Sequence, residues 1–162
     1  MRYIYSCVLI MMLALVQSEQ VCGALSSADF FVPELTGPVV DDARVIDGAS
    51  FEELNTNLRA LYERGGSQIQ ILTVKGLEGL PIEAASLRVV EKWKIGTKKS
   101  DNGILVLVAP RERKVRIEVG RGREGLLTDM GSGQIIREVM IPYFKQNLFG
   151  VGVVAGVRAI LA

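Results

Sequence analysis

Five side chains whose oxygen atoms suit a metal ion lie in segments predicted to be loops: Asp41, Asp101, Asn102, Glu124 and Asp129. Neighbouring carboxylates repel one another, and each resists ionisation unless a positive charge neutralises it. A hard cation removes that repulsion, because Ca²⁺ and Mg²⁺ prefer oxygen ligands and Ca²⁺ tolerates the irregular geometry of loops. The residue types leave one alternative, in which Asp101 and Asp129 cap turns or helices by accepting hydrogen bonds from backbone N–H groups.

A predicted β-hairpin brings most of these residues together. Residues 104–109 form a continuous apolar run, and residues 114–120 alternate between apolar and charged side chains. These patterns predict a buried central strand followed by a half-exposed antiparallel strand. The start of the first strand of a hairpin lies beside the end of the second. We therefore expect Asp101 and Asn102 to face the glycine-rich loop 120–131, which carries Glu124 and Asp129.

The same loop contains a glycine motif that is typical of dinucleotide sites. Residues 120–125, Gly-Arg-Gly-Arg-Glu-Gly, match the pattern G-x-G-x-x-G after a strand. The dinucleotide motif also needs a helix that starts within it and a parallel strand beyond it. Here the preceding strand closes a hairpin, so we predict that no dinucleotide binds and that the glycines serve a sharp turn.

Arginines in and before this loop are candidates for binding anions. Arg121 and Arg123 are candidate contacts for a phosphate group, which guanidinium groups bind well. The basic residues of segment 111–123 alternate with Glu112 and Glu118. No exposed aromatic residues for base stacking are apparent there, so we predict that the chain does not bind nucleic acid.

The composition excludes several classes of function. The chain has 162 residues, with 19 basic and 18 acidic side chains and a net charge of +1. That size is typical of one domain, and the charge balance gives no overall basic surface for nucleic acid. Histidine is absent, and the two cysteines are Cys7 and Cys22. Ser-His-Asp catalysis, Cys-His catalysis and a His- or Cys-ligated zinc site are therefore excluded.

The N-terminal segment has the features of an export signal. Arg2 precedes an apolar run over residues 4–16, and the small residues Gly23 and Ala24 follow a polar stretch. The run is short for a membrane helix, which needs about 20 residues. We predict a signal peptide over 1–23, an irregular tether over 24–38 and one domain over 39–162. The alternative is an uncleaved N-terminal anchor, which would be the sole contact with a membrane. We expect an exported protein, periplasmic or secreted.

Helical patterns surround the predicted strands. Ser50 and Glu53 form a capping box at the start of one amphipathic helix, residues 67–75 predict a strand, and Pro81 begins a second helix. Residues 132–147 predict a helix kinked at Pro142, and residues 150–162 a further helix. The order of these elements predicts an α/β fold, a single-domain α/β/α sandwich with a mixed β-sheet and helices on both faces.

A series of motifs in this order resembles the TPM domain family, also called TPM phosphatase, which includes thylakoid-lumen proteins of photosystem II repair. The motifs are Val39-Val40-Asp41, Trp93-x-Ile95-Gly96, Asp101-Asn102-Gly103-Ile104-Leu105, the segment from Arg116 to Gly125, and Ile141-Pro142-Tyr143-Phe144. The resemblance implies an α/β sandwich with a divalent-cation site in its acidic loops. Carried over by position, Asp101, Glu124 and Asp129 are the leading ligands, followed by Asp41 and Asn102.

Two functions are consistent with this resemblance. In the first, the domain binds Ca²⁺ or Mg²⁺ and assembles with a protein of the cell envelope or its membranes. In the second, it is a metal-assisted acid phosphatase in which the cation activates water, Asp101 and Asp129 act in catalysis, and Arg121 or Arg123 holds the phosphate.

Overall fold

A computed structural model describes residues 30–96, 102–123, 125 and 127–162 of the chain. In this part of the molecule four strands form one sheet in the order β1-β2-β3-β4. They are β1 (Val39–Asp41), β2 (Gln68–Thr73), β3 (Gly103–Ala109) and β4 (Lys114–Val119). The first three strands are parallel, and β4 runs antiparallel to β3. The predicted mixed sheet and its antiparallel hairpin are confirmed.

Helices cover both faces of the sheet. They are α1 (Gly48–Glu63), α2 (Ile82–Trp93), α3 (Asp129–Gln134), α4 (Ile141–Phe144) and α5 (Phe149–Ile160), with a π-helical segment at Ile135–Met140 and a 3₁₀ turn at Arg121–Arg123. One core joins α2 to a face of the sheet through Ala85, Val89 and Trp93. The other core joins α1 and α5 to the opposite face, with Leu58, Met140 and Val153 buried in it. The predicted α/β/α sandwich is thereby confirmed.

The first two helices connect neighbouring parallel strands over opposite faces of the sheet. Helix α1 joins β1 to β2 on one face, and α2 joins β2 to β3 on the other. Both connections step in the same direction across the sheet. Two crossover connections that move one strand in the same direction but pass over opposite faces of the sheet have opposite handedness. One of these two connections is therefore left-handed, although about 98% of such connections are right-handed.

The start of α1 differs from the prediction. The helix begins at Gly48, and its N-cap is Asp47 rather than Ser50. The Asp47 carboxylate accepts hydrogen bonds from the Ser50 backbone N–H at 2.9 Å and from the Ser50 hydroxyl at 2.7 Å. The backbone hydrogen bond from Ser50 is the largest cause that lowers the pKa of Asp47 below its ordinary value. Ser50 therefore lies in the first turn, and the predicted capping box is wrong.

The helix predicted over 132–147 is divided into three parts. It begins earlier, at Asp129, and the hydroxyl of Thr128 caps it by accepting from the Gly131 N–H at 3.1 Å. The alternative in which Asp129 is the cap is therefore wrong. The helix widens into the π-helical segment before Pro142. Proline has no N–H to donate to the preceding turn, so a break in the regular α-helical pattern is expected there.

Residues 30–38 are irregular but are packed against the domain. Phe30 and Val32 are buried in the core beneath α2. The Trp93 indole N–H donates to the Pro33 carbonyl at 2.8 Å. This part of the predicted tether therefore belongs to the folded core. The predicted signal peptide lies outside the described residues, and within them no helix is both long and apolar enough to cross a membrane.

Candidate functional site

The predicted ligands lie at more than one place around the sheet. We call the end at which β3 begins and β4 finishes the Asn102 end. We call the end at which β1, β2 and β3 finish the Asp41 end. The β2–β3 register aligns Gln68 with Gly103 at the first end and Thr73 with Val108 at the second. These two ends are separated by the full length of β2.

Asn102 and Gly120 lie side by side at the Asn102 end. The Gly120 N–H donates to the Gly103 carbonyl at 2.8 Å, which joins the start of β3 to the end of β4. The Asn102 carbonyl accepts from the Gln68 N–H at 3.2 Å, and its side-chain amide donates to the Gly66 carbonyl at 3.4 Å. The prediction that the start of β3 meets the glycine-rich loop is confirmed for these residues.

Close backbone packing fixes the position where β3 begins. A Cβ atom at Gly103 would lie 2.7 Å from the Gly96 nitrogen and 2.8 Å from the Ile95 carbonyl carbon. The Gly96 N–H donates to the Gln68 side-chain oxygen at 2.9 Å. Gly96 itself has a positive φ of 89°, which glycine adopts without steric cost. The segment after α2 is thus held against the start of the strand that follows Asn102.

Asp101 and Glu124 lie outside the described residues. Each is one peptide bond from a described neighbour, Asp101 from Asn102 and Glu124 from Arg123. Within residues 30–96, 102–123, 125 and 127–162, no three acidic, cysteine or histidine side chains are grouped closely enough to hold a metal ion. The metal site therefore stays a prediction.

Asp41 lies at the opposite end of the sheet and has partners of its own. It pairs with Thr73 across β1 and β2. Its carboxylate accepts from the backbone N–H groups of Val45 at 3.1 Å and Ile46 at 3.0 Å, and also from the Thr73 hydroxyl. The prediction that Asp41 contributes to a site beside Asn102 is therefore wrong. Asp41 holds the turn that leads from β1 to α1.

Asp129 lies on the outer side of β4. It is the first residue of α3 and lines a cavity of about 250 Å³ with Glu83 and Arg116. The hydrogen bond that Arg116 donates to Glu118 is the main cause that raises the pKa of Arg116, and the charges of Glu83 and Asp129 add to it. Arg116 precedes Val119 by three residues along β4. In the described structure Asp129 is therefore a neighbour of the middle of β4, not of Asn102.

Arg121 and Arg123 follow β4 directly at the Asn102 end. They belong to a single 3₁₀ turn, closed by the Arg123 N–H donating to the Gly120 carbonyl at 2.8 Å. The Arg123 Nε atom is buried and has no hydrogen-bond partner among the described residues. The two predicted anion contacts are thus placed beside the start of β3.

Sequence analysis did not identify the polar residues around the cavity beside β4. Arg116 Nε donates to Glu118 at 2.7 Å, and the same carboxylate oxygen accepts from the Ser86 hydroxyl at 2.8 Å. The hydroxyl of Ser132, which also lines the cavity, is buried without a partner. The alternation in β4 already placed Arg116 and Glu118 on one face. Which helix covers that face is decided by tertiary packing.

Two of the solved structures that are similar to this chain are NMR structures of N-terminal domains. The solution NMR structure of the N-terminal domain of a protein from P. gingivalis shares 31% sequence identity and a TM-score of 0.73, over 80% of this chain and 85% of that chain. The solution NMR structure of the N-terminal domain of a protein from Corynebacterium glutamicum has 13% identity and a TM-score of 0.60, over 81% of this chain and 82% of that chain. The second likeness shows the fold alone. No curated protein matches the chain.

The family model of the TPM domain matches residues 39–162. This range contains all four strands and all five helices of the described structure. The chain therefore belongs to the TPM domain family, and the family predicted from its motifs is confirmed.

Proposed function

We propose that this chain is an exported module that binds Ca²⁺ or Mg²⁺ at the Asn102 end of its sheet and thereby assembles with a protein of the cell envelope or its membranes. The proposed ligands are Asp101, Asn102 and Glu124. Asp41 is omitted because its carboxylate is occupied at the other end of the sheet, and Asp129 because it lines the cavity beside Arg116.

The hydrogen bond between Gly120 and Gly103 carries this proposal. It joins the end of β4 to the start of β3 at 2.8 Å. Asp101 precedes Gly103 by two residues, and Glu124 follows Gly120 by four. A residue adds at most about 3.6 Å of extended chain, so both carboxylates are tied to this one point by short segments.

The direction of the helices supports a cation at this end. Helices α1 and α2 finish at Glu63 and Trp93, just before the parallel strands β2 and β3 begin. The last four carbonyl groups of a helix have no partner within it, and that helix terminus carries a partial negative charge. These carbonyls cannot neutralise Asp101 or Glu124. In α1 the carbonyls of Ala60, Leu61 and Tyr62 already accept from the N–H groups of the turn that follows. What this terminus contributes is its partial negative charge, which favours a nearby cation.

Thermal unfolding with and without the cation tests the proposal. A ligand that binds only the folded state, present at about 100 times its Kd, adds about 2.7 kcal/mol of stability. For a domain of this size we expect Tm to rise by about 5 to 10 °C on changing from EDTA to Ca²⁺. In NMR spectra, the amide signals of Asn102, Gly103 and Gly120 should shift most.

Paired variants separate the proposed site from general stability. The double variant Asp101→Asn, Glu124→Gln should lose the rise in Tm. The control Asp41→Asn should have a lower Tm and yet keep the full rise with Ca²⁺. Equal melting curves in Ca²⁺, Mg²⁺ and EDTA for the unsubstituted protein would refute the cation site, because a ligand that binds the folded state must raise its stability.

Metal-assisted hydrolysis of phosphate monoesters is the second candidate, and one observation favours it. The Nε atom of Arg123 is buried without a hydrogen-bond partner in the described structure. A guanidinium group is always charged, and phosphate is among its best partners. In this function Asp101 would be the catalytic carboxylate, and Asp129 is left out because it lines the cavity beside Arg116. The Arg123→Gln and Asp101→Asn variants should each lower the hydrolysis of p-nitrophenyl phosphate at least tenfold. Undiminished turnover in the Asp101→Asn variant would assign the activity to a contaminant.

A further inference from the structure

A narrow cavity runs along the outer side of β4, and we call it the edge cavity. It has a volume of about 250 Å³ and lies between Glu83 of α2 on one side and Asp129 and Ser132 of α3 on the other. Val115, Arg116 and Ile117 of β4 form its floor. Because β4 is the last strand in the order β1-β2-β3-β4, this floor is an edge of the sheet.

The register of the hairpin shows which peptide groups of β4 face the edge cavity. The Gly120 N–H bonds to the Gly103 carbonyl, so these two residues form a hydrogen-bonded pair. Such pairs alternate along an antiparallel ladder. Glu118 and Arg116 therefore exchange hydrogen bonds with β3. The N–H and carbonyl groups of Val115, Ile117 and Val119 point away from it.

These outward peptide groups have no partners in the described part of the chain. No hydrogen bond to another described residue is made by the outward groups of Val115, Ile117 or Val119. Ile117 is nevertheless only 4% exposed, so its peptide groups are largely shielded from solvent. Buried backbone groups without a partner are rare in native proteins.

A second buried polar group without a partner lines the same cavity. Ser132 is 4% exposed, and its hydroxyl makes no hydrogen bond in the described structure. Unpaired backbone groups on the floor and an unpaired hydroxyl on the wall together match an extended peptide. Its main chain can bond to an edge strand while its side chains enter the flanking space.

The charges around the edge cavity indicate which peptide it would accept. Glu83 and Asp129 are exposed on its two walls. The single basic side chain in its lining, Arg116, is already paired with Glu118 at 2.7 Å. The guanidinium group of Arg137 lies near Gly133 in the lining, so the negative charge is concentrated at Glu83 and Asp129. A lysine or arginine side chain between the two walls would complement it, whereas an acidic one would be repelled.

We propose that the edge cavity binds an extended basic segment of a partner protein, which adds to β4 as a fifth strand and places a lysine or arginine side chain between Glu83 and Asp129. A second copy of this chain is the less favourable occupant. Pairing of two β4 strands would bring a second Glu83 and Asp129 close to the first pair. The proposed cation site uses other residues, so the two proposals succeed or fail separately.

An NMR titration tests this proposal with a defined peptide. The probe is a blocked seven-residue peptide in which valine and lysine alternate, added to the purified protein in EDTA so that no cation contributes. We expect saturable shifts of the amide signals of Val115, Ile117 and Val119. A matched peptide of alternating valine and glutamate should bind at least tenfold more weakly.

Variants of the protein distinguish strand addition from nonspecific attraction. Glu83→Gln should weaken binding of the lysine peptide about threefold, the size of effect expected for one exposed ion pair, whereas Glu91→Gln on the same helix should leave it unchanged. Val115→Pro removes one outward N–H without removing a bond to β3, and it should reduce binding at least tenfold. Ser132→Ala should weaken binding without lowering Tm.

Three results would overturn the proposal. The first is the absence of shifts along β4 at millimolar lysine peptide in a protein that is folded by its NMR spectrum. The second is equal affinity for the lysine and glutamate peptides. The third is a concentration-dependent shift of the same amides without peptide, which would identify a second copy as the occupant.

Discussion

The two ends of the sheet place acidic side chains in opposite surroundings. At the Asp41 end, carboxylates are bound by N–H groups of the protein: Asp41 by Val45 and Ile46, and Glu112 by Leu77 and Arg111. At the Asn102 end, the described hydrogen bonds around Asn102 use carbonyl groups as acceptors. An acidic residue at the end of a strand is therefore weak evidence for a metal site by itself. It must also be known whether nearby backbone N–H groups already bind its carboxylate.

The direction of the chain explains this difference. Both βαβ helices begin at the Asp41 end and finish at the Asn102 end. The first N–H groups of each helix and the loop before it need acceptors, which nearby carboxylates supply. The last turn of each helix carries a partial negative charge, although in α1 the carbonyls of Ala60, Leu61 and Tyr62 already accept from backbone N–H groups. Carboxylates at one end of the sheet thus accept hydrogen bonds from the protein itself, whereas the proposed cation would bind at the other end, beside the negative helix termini.

The largest expected loss of stability comes from replacing Asp41, whose carboxylate accepts three hydrogen bonds. Asp41→Ala takes away the acceptor of two backbone N–H groups and the Thr73 hydroxyl. Hydrogen bonds to charged groups contribute about 1.5 to 3 kcal/mol each, and such values do not add fully. We expect urea unfolding to show a loss of about 3 kcal/mol.

The adjacent acid is a matched control for that measurement. Asp42 makes a salt bridge to Lys75 at 3.2 Å, with the lysine side chain 72% exposed. Exposed ion pairs contribute less than about 1 kcal/mol, so Asp42→Ala should have little effect. Equal losses for the two variants would remove the distinction between a bound carboxylate and an exposed one at this end.

A smaller effect is expected from a change in packing at the Asn102 end. In Gly103→Ala the new methyl group would lie 2.7 Å from the Gly96 nitrogen. That contact involves backbone, so β3 or the segment after α2 must move, and overpacking of this kind costs about 1 to 3 kcal/mol. We expect a loss of about 2 kcal/mol in urea unfolding and a weaker response to Ca²⁺. Gly125→Ala, where a Cβ atom meets no atom of the described residues within 4 Å, is the control.

The smallest of the three effects should depend on pH. Burial raises the pKa of Glu112, but hydrogen bonds from the Leu77 N–H and from Arg111 outweigh it and hold the pKa below its ordinary value of 4.5. A carboxyl group with a lowered pKa in the folded state stabilises the protein above its unfolded pKa. That stability is lost as the pH falls through the folded value. Glu112→Gln should therefore cost about 1 kcal/mol at pH 7.

The acid range then supplies the check on Glu112. The urea midpoints of the unsubstituted protein and of Glu112→Gln should converge as the pH falls below about 4.5. Glu78, which also binds Arg111 but is more exposed, offers the control Glu78→Gln. A gap between the midpoints that persists unchanged to pH 2 would mean that the Glu112 contribution does not come from its charge.

Local sequence patterns predicted elements well and their ends less well. The alternation of Lys114 to Val119 and the apolar run before it identified β3 and β4, because side chains in a strand alternate between the faces of the sheet. The start of α1 was missed because both Asp47 and Ser50 are good caps. The choice between them depends on which backbone N–H each side chain reaches. The π-helical segment before Pro142 left no signal beyond the proline itself.

The candidate site was predictable only where a hairpin defined it. Two strands joined by a short turn pair with each other in an antiparallel hairpin. The approach of Asn102 to Gly120 therefore followed from the sequence. The position of Asp41 depended on strand order and on the parallel pairing of β1 with β2, which no local pattern specifies. Asp129 was likewise displaced from the expected cluster by the way α3 packs beside β4.

The sequence by itself determined the family, the strands and helices, and the hairpin that joins the start of β3 to the end of β4, because these depend on residue types and on contacts between neighbouring segments. Tertiary structure alone decided that α1 and α2 cover opposite faces, that Asp41 and Asn102 lie at opposite ends, and that β4 is an edge with a cavity beside it. Those features depend on contacts between distant segments. Their energies come from packing of whole faces rather than from any short stretch of chain.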